Sequence, residues 1–270
     1  MRLMIFSLII IGLLAAGLIC MPLTGYAGKG DVKSKGKQIY IWHLDEGQGK
    51  TVKEANGKGP DGEFVGDIQW VDGVSGSAVL FSGKVGKPQY IAFDGDDHLD
   101  ITEQLTLAAW ISLDAIPTGD QKNKGTIFYK NTYYLQVEPN SGSLAYYFYD
   151  TSNPGYHLSK NAVKADGTWH HVAVTWDGTT VRFYIDGEKD PNEIAQKGPG
   201  RSTPAKKVFV GGENNACCPR FFQGKIDEIT IANYALSQGE LRDLMKSALP
   251  VDVKGKLATC WAMLKRSYHR

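Results

Sequence analysis

The sequence predicts an all-β protein: a sandwich of two antiparallel sheets closed by a short C-terminal helix. Three observations carry this. Residues 168–187, TWHHVAVTWDGTTVRFYIDG, place two alternating runs on either side of Asp177-Gly178 and end in a second Asp-Gly, Asp186-Gly187. Asp-Gly supplies the positive φ angles that tight hairpin turns need. In the second run Val181, Phe183 and Ile185 point to one side and Arg182, Tyr184 and Asp186 to the other, as on a half-buried strand. Second, short apolar runs recur along the chain with Gly, Pro, Asn and Asp between them, the spacing of a sandwich rather than of a helical or α/β protein. Third, 31 glycines among 270 residues, together with 13 tyrosines and 6 tryptophans, suit a turn-rich β protein.

The chain opens on an export segment. Arg2 precedes an apolar run from Leu3 to Met21, Pro22 ends it, and Gly25-Tyr26-Ala27 puts small residues three and one before a cut. Residues 1–27 are therefore expected to be a signal peptide. The run exceeds the usual signal core of about 7–15 residues and is nearly long enough to span a bilayer, so an uncleaved N-terminal anchor stays open beside cleavage. Lipid attachment at Cys20 is disfavoured by the bulky Ile19 before it. Each reading places the domain outside the cytoplasm: secreted, periplasmic or at the cell surface. A membrane is a partner only if the segment stays uncleaved.

Residues 28–37, GKGDVKSKGK, read as a linker. Strands are then expected at 38–42, 62–65, 78–81, 90–93, 105–113, 126–129, 133–137, 144–149, 171–176, 181–185, 207–210 and 224–232. Ser237, followed three residues later by Glu240, forms a capping box that starts a short helix. Residues 248–270 make a basic tail: Leu257, Ala258, Trp261 and Leu264 share one helical face, and Lys254, Lys256, Lys265, Arg266 and Arg270 supply charge. A helix docked on the sandwich and a partner-binding tail both fit.

Trp-His-His-Val-Ala-Val-Thr-Trp-Asp-Gly, followed by a strand ending in Asp-Gly, resembles laminin-G-like jelly-roll domains of the concanavalin A-like lectin/glucanase superfamily. The closing stretch FQGKIDEITIANYALSQGELRDLM is similar to the final strand and helix of the same family. The resemblance spans residues 38–247. It implies one concanavalin A-like jelly-roll domain, and it speaks to fold rather than to ligand.

Charge excludes one class of partner. Without Arg2, 29 basic residues face 29 acidic ones, and a balanced chain has no electrostatic footprint for nucleic acid. After cleavage Cys217, Cys218 and Cys260 remain, an odd number in an exported protein. A vicinal Cys217–Cys218 bridge, a bridge from either to Cys260, and free thiols all remain open.

Catalytic signals are poor, and the expectation is a protein that is not an enzyme. Glucanases of this superfamily carry Glu-x-Asp-x-(x)-Glu on a strand facing a cleft, since glycoside hydrolysis needs two carboxylates at a set separation. Glu188, Asp190 and Glu193 share that spacing, but Lys189, Pro191 and Asn192 replace the apolar residues between them. They read as a charged loop. His170 and His171 are strand neighbours pointing to opposite faces and share no metal. Trp42, Trp110, Trp169 and Trp176 are assigned to packing.

The resemblance implies a structural calcium at Asp227; the alternatives are a surface carboxylate or an anchor for a neighbouring turn. Phe81-Ser82-Gly83 and Pro88-Gln89-Tyr90 depart from the family's acidic turns, and Asp94, Asp96, Asp97 and Asp100 stand as a substitute cluster or a solvated loop. Strand phasing leaves a ligand face. With Leu135, Val137, Leu144, Tyr146 and Phe148 inward, Tyr134, Gln136, Glu138, Ala145, Tyr147 and Tyr149 point outward, and Arg182 and Tyr184 join them if the strands are neighbours. Tyrosine with planar polar groups suits sugar rings, although aromatic ladders also stabilise sheets without a ligand. The function expected is an exported, non-catalytic recognition module for a glycan or an extracellular protein. A hydrolase or lyase of the same fold and a structural envelope or adhesion module are the alternatives.

Overall fold

The computed structural model describes residues 36–84, 86–95, 97–120, 123–213, 218 and 220–249. The expected signal peptide (1–27), nearly all of the expected linker, and the tail beyond Leu249 lie outside the described residues.

The elements follow in chain order. They are β1 (Ile39–Trp42), β2 (Thr51–Val52), β3 (Gly62–Val65), β4 (Gln69–Asp72), β5 (Ser77–Ser82), β6 (Tyr90–Phe93), β7 (Leu105–Leu113) and β8 (Gly125–Tyr129). Then come β9 (Tyr133–Val137), β10 (Ser143–Phe148), β11 (His157–Ala162), β12 (His170–Trp176), β13 (Thr180–Ile185), β14 (Glu188–Ala195), β15 (Val208–Val210), β16 (Gln223–Ala232) and α1 (Gln238–Ala248). They form two antiparallel sheets. The first runs β14-β13-β12-β7-β16-β5-β4, with β1 also on β16; the second runs β11-β10-β9-β8-β15-β6-β3-β2. This is a jelly-roll-like sandwich.

Period-two patterning builds the core. Val172, Val174 and Trp176 of β12 and Val181 and Phe183 of β13 turn inward to meet Leu135, Val137, Leu144, Tyr146 and Phe148 of the second sheet. Trp42 packs 4.7 Å from Phe93 and Trp176 packs 4.9 Å from Phe148, ring centre to ring centre. Each such side chain contributes about 1.5–3 kcal/mol on burial.

The turns behave as their residues dictate. Asp186 and Gly187 take φ of 53° and 74°, a two-residue primed turn between Ile185 and its partner Glu188. That turn leads into β14, so Glu188, Asp190 and Glu193 lie on an edge strand and not in a loop as their composition suggested. Pro191 is tolerated there because an edge strand leaves one row of N–H groups unpaired. Asp190 is 1% exposed and accepts from the backbone N–H of Lys160 at 2.9 Å, Asn161 at 2.7 Å and Asn192 at 2.9 Å. It clasps the edge of the second sheet, β11, to the edge of the first. The two-residue β2, the four-residue β4 and the polar β11 are further strands that hydrophobic patterning did not signal.

The capping box forms as read. Glu240 N–H donates to the Ser237 hydroxyl, and the Ser237 N–H donates to the Glu240 carboxylate. The helix α1 lays Leu241 over the outer face of the first sheet, against Ala108, Ala173, Tyr184 and Ala232.

Candidate functional site

The second sheet carries its own aromatic surface, on the side away from the core. In β9, Tyr133, Leu135 and Val137 enter the core, so Tyr134 and Gln136 face out. Cross-strand register sets Tyr134 opposite Tyr147 of β10 and Tyr129 of β8, and Gln136 opposite Ala145 and Thr126. Five tyrosines result in one contiguous cluster. Tyr129 stacks on Tyr134 with centroids 4.9 Å apart and planes at 8°. Tyr147 lies 5.5 Å from Tyr134 and 4.4 Å from Tyr149. Tyr156, from the connection between β10 and β11, comes within 5.2 Å of Tyr147 and 6.4 Å of Tyr134. Phe209 of β15 extends the row, 6.0 Å from Tyr129.

Charged groups rim this platform in pairs. The Arg201 guanidinium sits 4.8 Å over the Tyr149 ring and donates from Nε and Nη2 to the Asp150 carboxylate, both at 2.8 Å. The Lys124 ammonium lies 4.5 Å over the Tyr156 ring and donates to the Glu138 carboxylate. Arg220 Nη1 donates to Glu213 Oε1 at 3.0 Å. Burial pushes the Glu213 carboxyl up to about 7 against the pull of Arg220. Burial also raises the phenols of Tyr129, Tyr134 and Tyr147, takes Tyr156 up to about 12, and lowers Lys124. The phenols therefore stay neutral hydroxyls at physiological pH. Gln136 is fully buried; its Nε2 donates to Thr126 Oγ1 at 2.9 Å and its Oε1 has no partner.

Four of the six residues expected on the ligand face, Tyr134, Gln136, Tyr147 and Tyr149, are brought together here. Arg182 and Tyr184 are not. The β12–β13 hairpin belongs to the first sheet, so the two lie on the opposite outer face of the sandwich. Tyr184 is 4% exposed, covered from the side of α1, and Arg182 is committed to Asp177 at 2.6 Å and Glu193 at 3.5 Å. Patterning had not pointed to Tyr129 or Tyr156. Strict alternation from Thr126 would turn Tyr129 inward; a bulge between Thr126 and Phe128 sends both Ile127 and Phe128 into the core and turns Tyr129 outward, and Tyr156 reaches the cluster only through the path of its loop.

The other expected residues divide. Asp227 is fully buried at a β-bulge where Glu228 takes φ 50°. There β16 changes neighbour from β5 to β1. Its Oδ2 accepts from the N–H of Val74 at 2.8 Å and Ser75 at 3.5 Å, and Oδ1 from Glu228 N–H at 2.8 Å; burial pushes it up to about 7. That is the geometry of a turn anchor. Among the described residues no group of three or more His, Cys, Asp or Glu side chains is placed to hold a metal. The substitute acidic cluster is dispersed: Asp94 pairs with Lys207 at 2.6 Å and Asp100 accepts from Thr203 N–H at 2.7 Å, while Asp96 lies outside the described residues. Cys218 is disulfide-bonded; Cys217 and Cys260 lie outside the described residues. His170 contacts Asp186 at 2.8 Å. His171 lies buried 5.5 Å from the Trp110 ring, its imidazole lowered to about 4 by burial.

A concavity of about 370 Å³ is lined by Asp67, Gln69, Ser82, Lys84, Lys87 and Gln89. Its central amide is already satisfied: Gln89 Oε1 accepts from Ser82 N–H and Oγ, and Nε2 donates to the Asp67 carbonyl.

Residues 85–242 match a laminin-G-type family model of the Concanavalin A-like lectin/glucanases superfamily. The chain belongs to that family. Its curated relatives include the Sushi, von Willebrand factor type A, EGF and pentraxin domain-containing protein 1 of Rattus norvegicus, 32% identical over 90 residues, 30% of this chain and 2% of that protein. The Mus musculus protein of the same name is 30% identical over 104 residues, 36% of this chain and 3% of its own length. The matched segments thus span a small fraction of either relative. Among solved structures, domain 4 of AbnA, a GH43 extracellular arabinanase from Geobacillus stearothermophilus in complex with arabinotriose, superposes with a TM-score of 0.56 at 19% identity, over 77% of this chain and 98% of that one. The binding domain of Paraclostridial Mosquitocidal Protein 1 gives 0.57 at 14% identity over 77% and 51%, and a Trypanosoma rangeli sialidase 0.52 at 12% over 78% and 33%. Identities this low establish a shared lectin-like fold and nothing finer.

Proposed function

We propose that this chain is an exported, non-catalytic recognition module that holds a glycan against the tyrosine face of its second sheet. The observation that carries the reading is the five-tyrosine cluster, set on a rigid sheet and rimmed by hydrogen-bonding groups. Aromatic faces offer a flat apolar surface to the C–H side of a sugar ring, and the phenols and neighbouring amides offer hydrogen bonds to its hydroxyls. Fold alone would not support this, because the same sandwich serves binding domains and parts of enzymes. Export, as the N-terminal sequence predicts, would bring such a module to where glycans and surface proteins are met.

The test is a glycan array probed with residues 28–270 and with Tyr147→Ala and Arg182→Ala. Binding lost in Tyr147→Ala and kept in Arg182→Ala supports the reading, since Arg182 lies on the other sheet. A blank array moves the search to protein partners. Product release from any glycan on incubation would instead favour the hydrolase alternative.

A further inference from the structure

We propose that the glycan this face takes is uncharged, and that one of its hydroxyls donates to Gln136 Oε1. The inference rests on the recognition reading above and narrows it to a ligand class.

Charge is the first argument. Among the described residues, each cation over the platform already has its own carboxylate: Lys124 with Glu138, Arg201 with Asp150, Arg220 with Glu213. None of these three cations is left over for a uronate, sialate or sulfate. An acidic sugar would have to compete with a carboxylate for each cation, and at the two buried pairs, Lys124–Glu138 and Arg220–Glu213, separation strands a charge at a cost of about 3–5 kcal/mol; Arg201–Asp150 is exposed. A neutral ring leaves all three intact.

The second argument is the set of buried polar atoms without partners. Gln136 Oε1, Glu213 Oε2 and Arg220 Nε have none, and the Gln136 and Glu213 side chains are fully buried. Each such atom costs about 1–3 kcal/mol until something bonds it. Gln136 Oε1 can only accept, so it needs a donor. A hydroxyl supplies one; a ligand carboxylate cannot donate. Tyr156 lies near Lys124 at one end and near Tyr134 and Tyr147 at the other. Its half-buried ring is the group a sugar would move to reach the buried Gln136 Oε1.

The test uses the same array with neutral oligosaccharides printed beside sialylated, uronate-containing and sulfated ones, and adds Gln136→Leu. Neutral hits are expected. Their affinity should fall at least tenfold in both Tyr147→Ala and Gln136→Leu. Wild-type affinity should change less than about twofold between roughly 0.05 and 0.5 M salt, since screening acts on charged ligands. Gln136→Leu removes the unpartnered oxygen together with the hydrogen bond to Thr126, so its melting temperature should stay within about 2–4 °C of wild type; should it fail to fold, the salt series still decides the charge of the ligand. Hits confined to acidic glycans, weakened by salt and lost in Tyr147→Ala, would overturn the inference and leave the recognition reading standing. Neutral hits indifferent to Gln136→Leu would overturn the bond assigned to Gln136. Hits indifferent to Tyr147→Ala would sink both readings.

Discussion

Asp190 offers the sharpest test of how the sandwich holds its ligand face. Its carboxylate is 1% exposed and takes three backbone N–H groups, two from β11 of the second sheet and one from its own strand β14 of the first. Asp190→Ala removes all three acceptances. Hydrogen bonds to a charged group are worth about 1.5–3 kcal/mol each. Lys160, Asn161 and Asn192 are exposed residues, so water recovers part of that, and a net loss of about 3 kcal/mol is expected. For a domain of this size that corresponds to a melting temperature lower by about 6–12 °C. Asp190→Asn keeps one acceptor oxygen and should lose about half as much. Denaturant unfolding of the three proteins measures both values. A loss below about 0.5 kcal/mol in Asp190→Ala, the range of an ordinary surface substitution, would refute the clasp. Because β11 follows the connection that carries Tyr156, the variant should also weaken ligand binding more than its distance from the face suggests.

Other outcomes follow from the same structure. Glu213, raised to about 7 by burial, holds its proton more tightly in the folded state, so it costs stability as pH rises from the ordinary carboxylate range through 7. Between pH 7.5 and 5.5 the wild type should gain about 2 kcal/mol relative to Glu213→Gln; parallel pH profiles would deny the burial of this group. Gly211 takes φ 82° and a methyl there would strike the Phe81 ring, so Gly211→Ala should cost about 3 kcal/mol in denaturant unfolding. Asp227 as a turn anchor predicts no calcium dependence of the melting temperature; a rise on adding calcium that chelator reverses and Asp227→Asn abolishes would contradict this and support a calcium site there.

The short apolar runs were legible from residues alone: β3, β6, β7 and β9 run between the residues expected, and the helix starts at its capping box. What alternation could not show was which strands become neighbours. Arg182 and Tyr184 have the right parity for an outer face, but parity is blind to which sheet a hairpin joins, and β12 pairs with β7 rather than with β9 or β10. Strands held by backbone pairing and a buried carboxylate, such as β11 and β14, carry no apolar stripe to read. The second Asp-Gly was the usable signal for β14, since a primed turn implies a strand on both sides. Tyr156, Glu213 and Arg220 reach the face through loop paths, which depend on long-range contacts and leave no local pattern.

The central claim is that recognition occurs on the tyrosine face and not on the helix-covered face. The direct measurement is the affinity of the strongest array hit for wild type, Tyr147→Ala and Arg182→Ala, each first shown to unfold cooperatively. A central aromatic anchor is worth about 2 kcal/mol or more, so Tyr147→Ala should bind about 30-fold or more weakly, with Arg182→Ala within about twofold of wild type. Equal binding by Tyr147→Ala, or a loss confined to Arg182→Ala, would contradict the account.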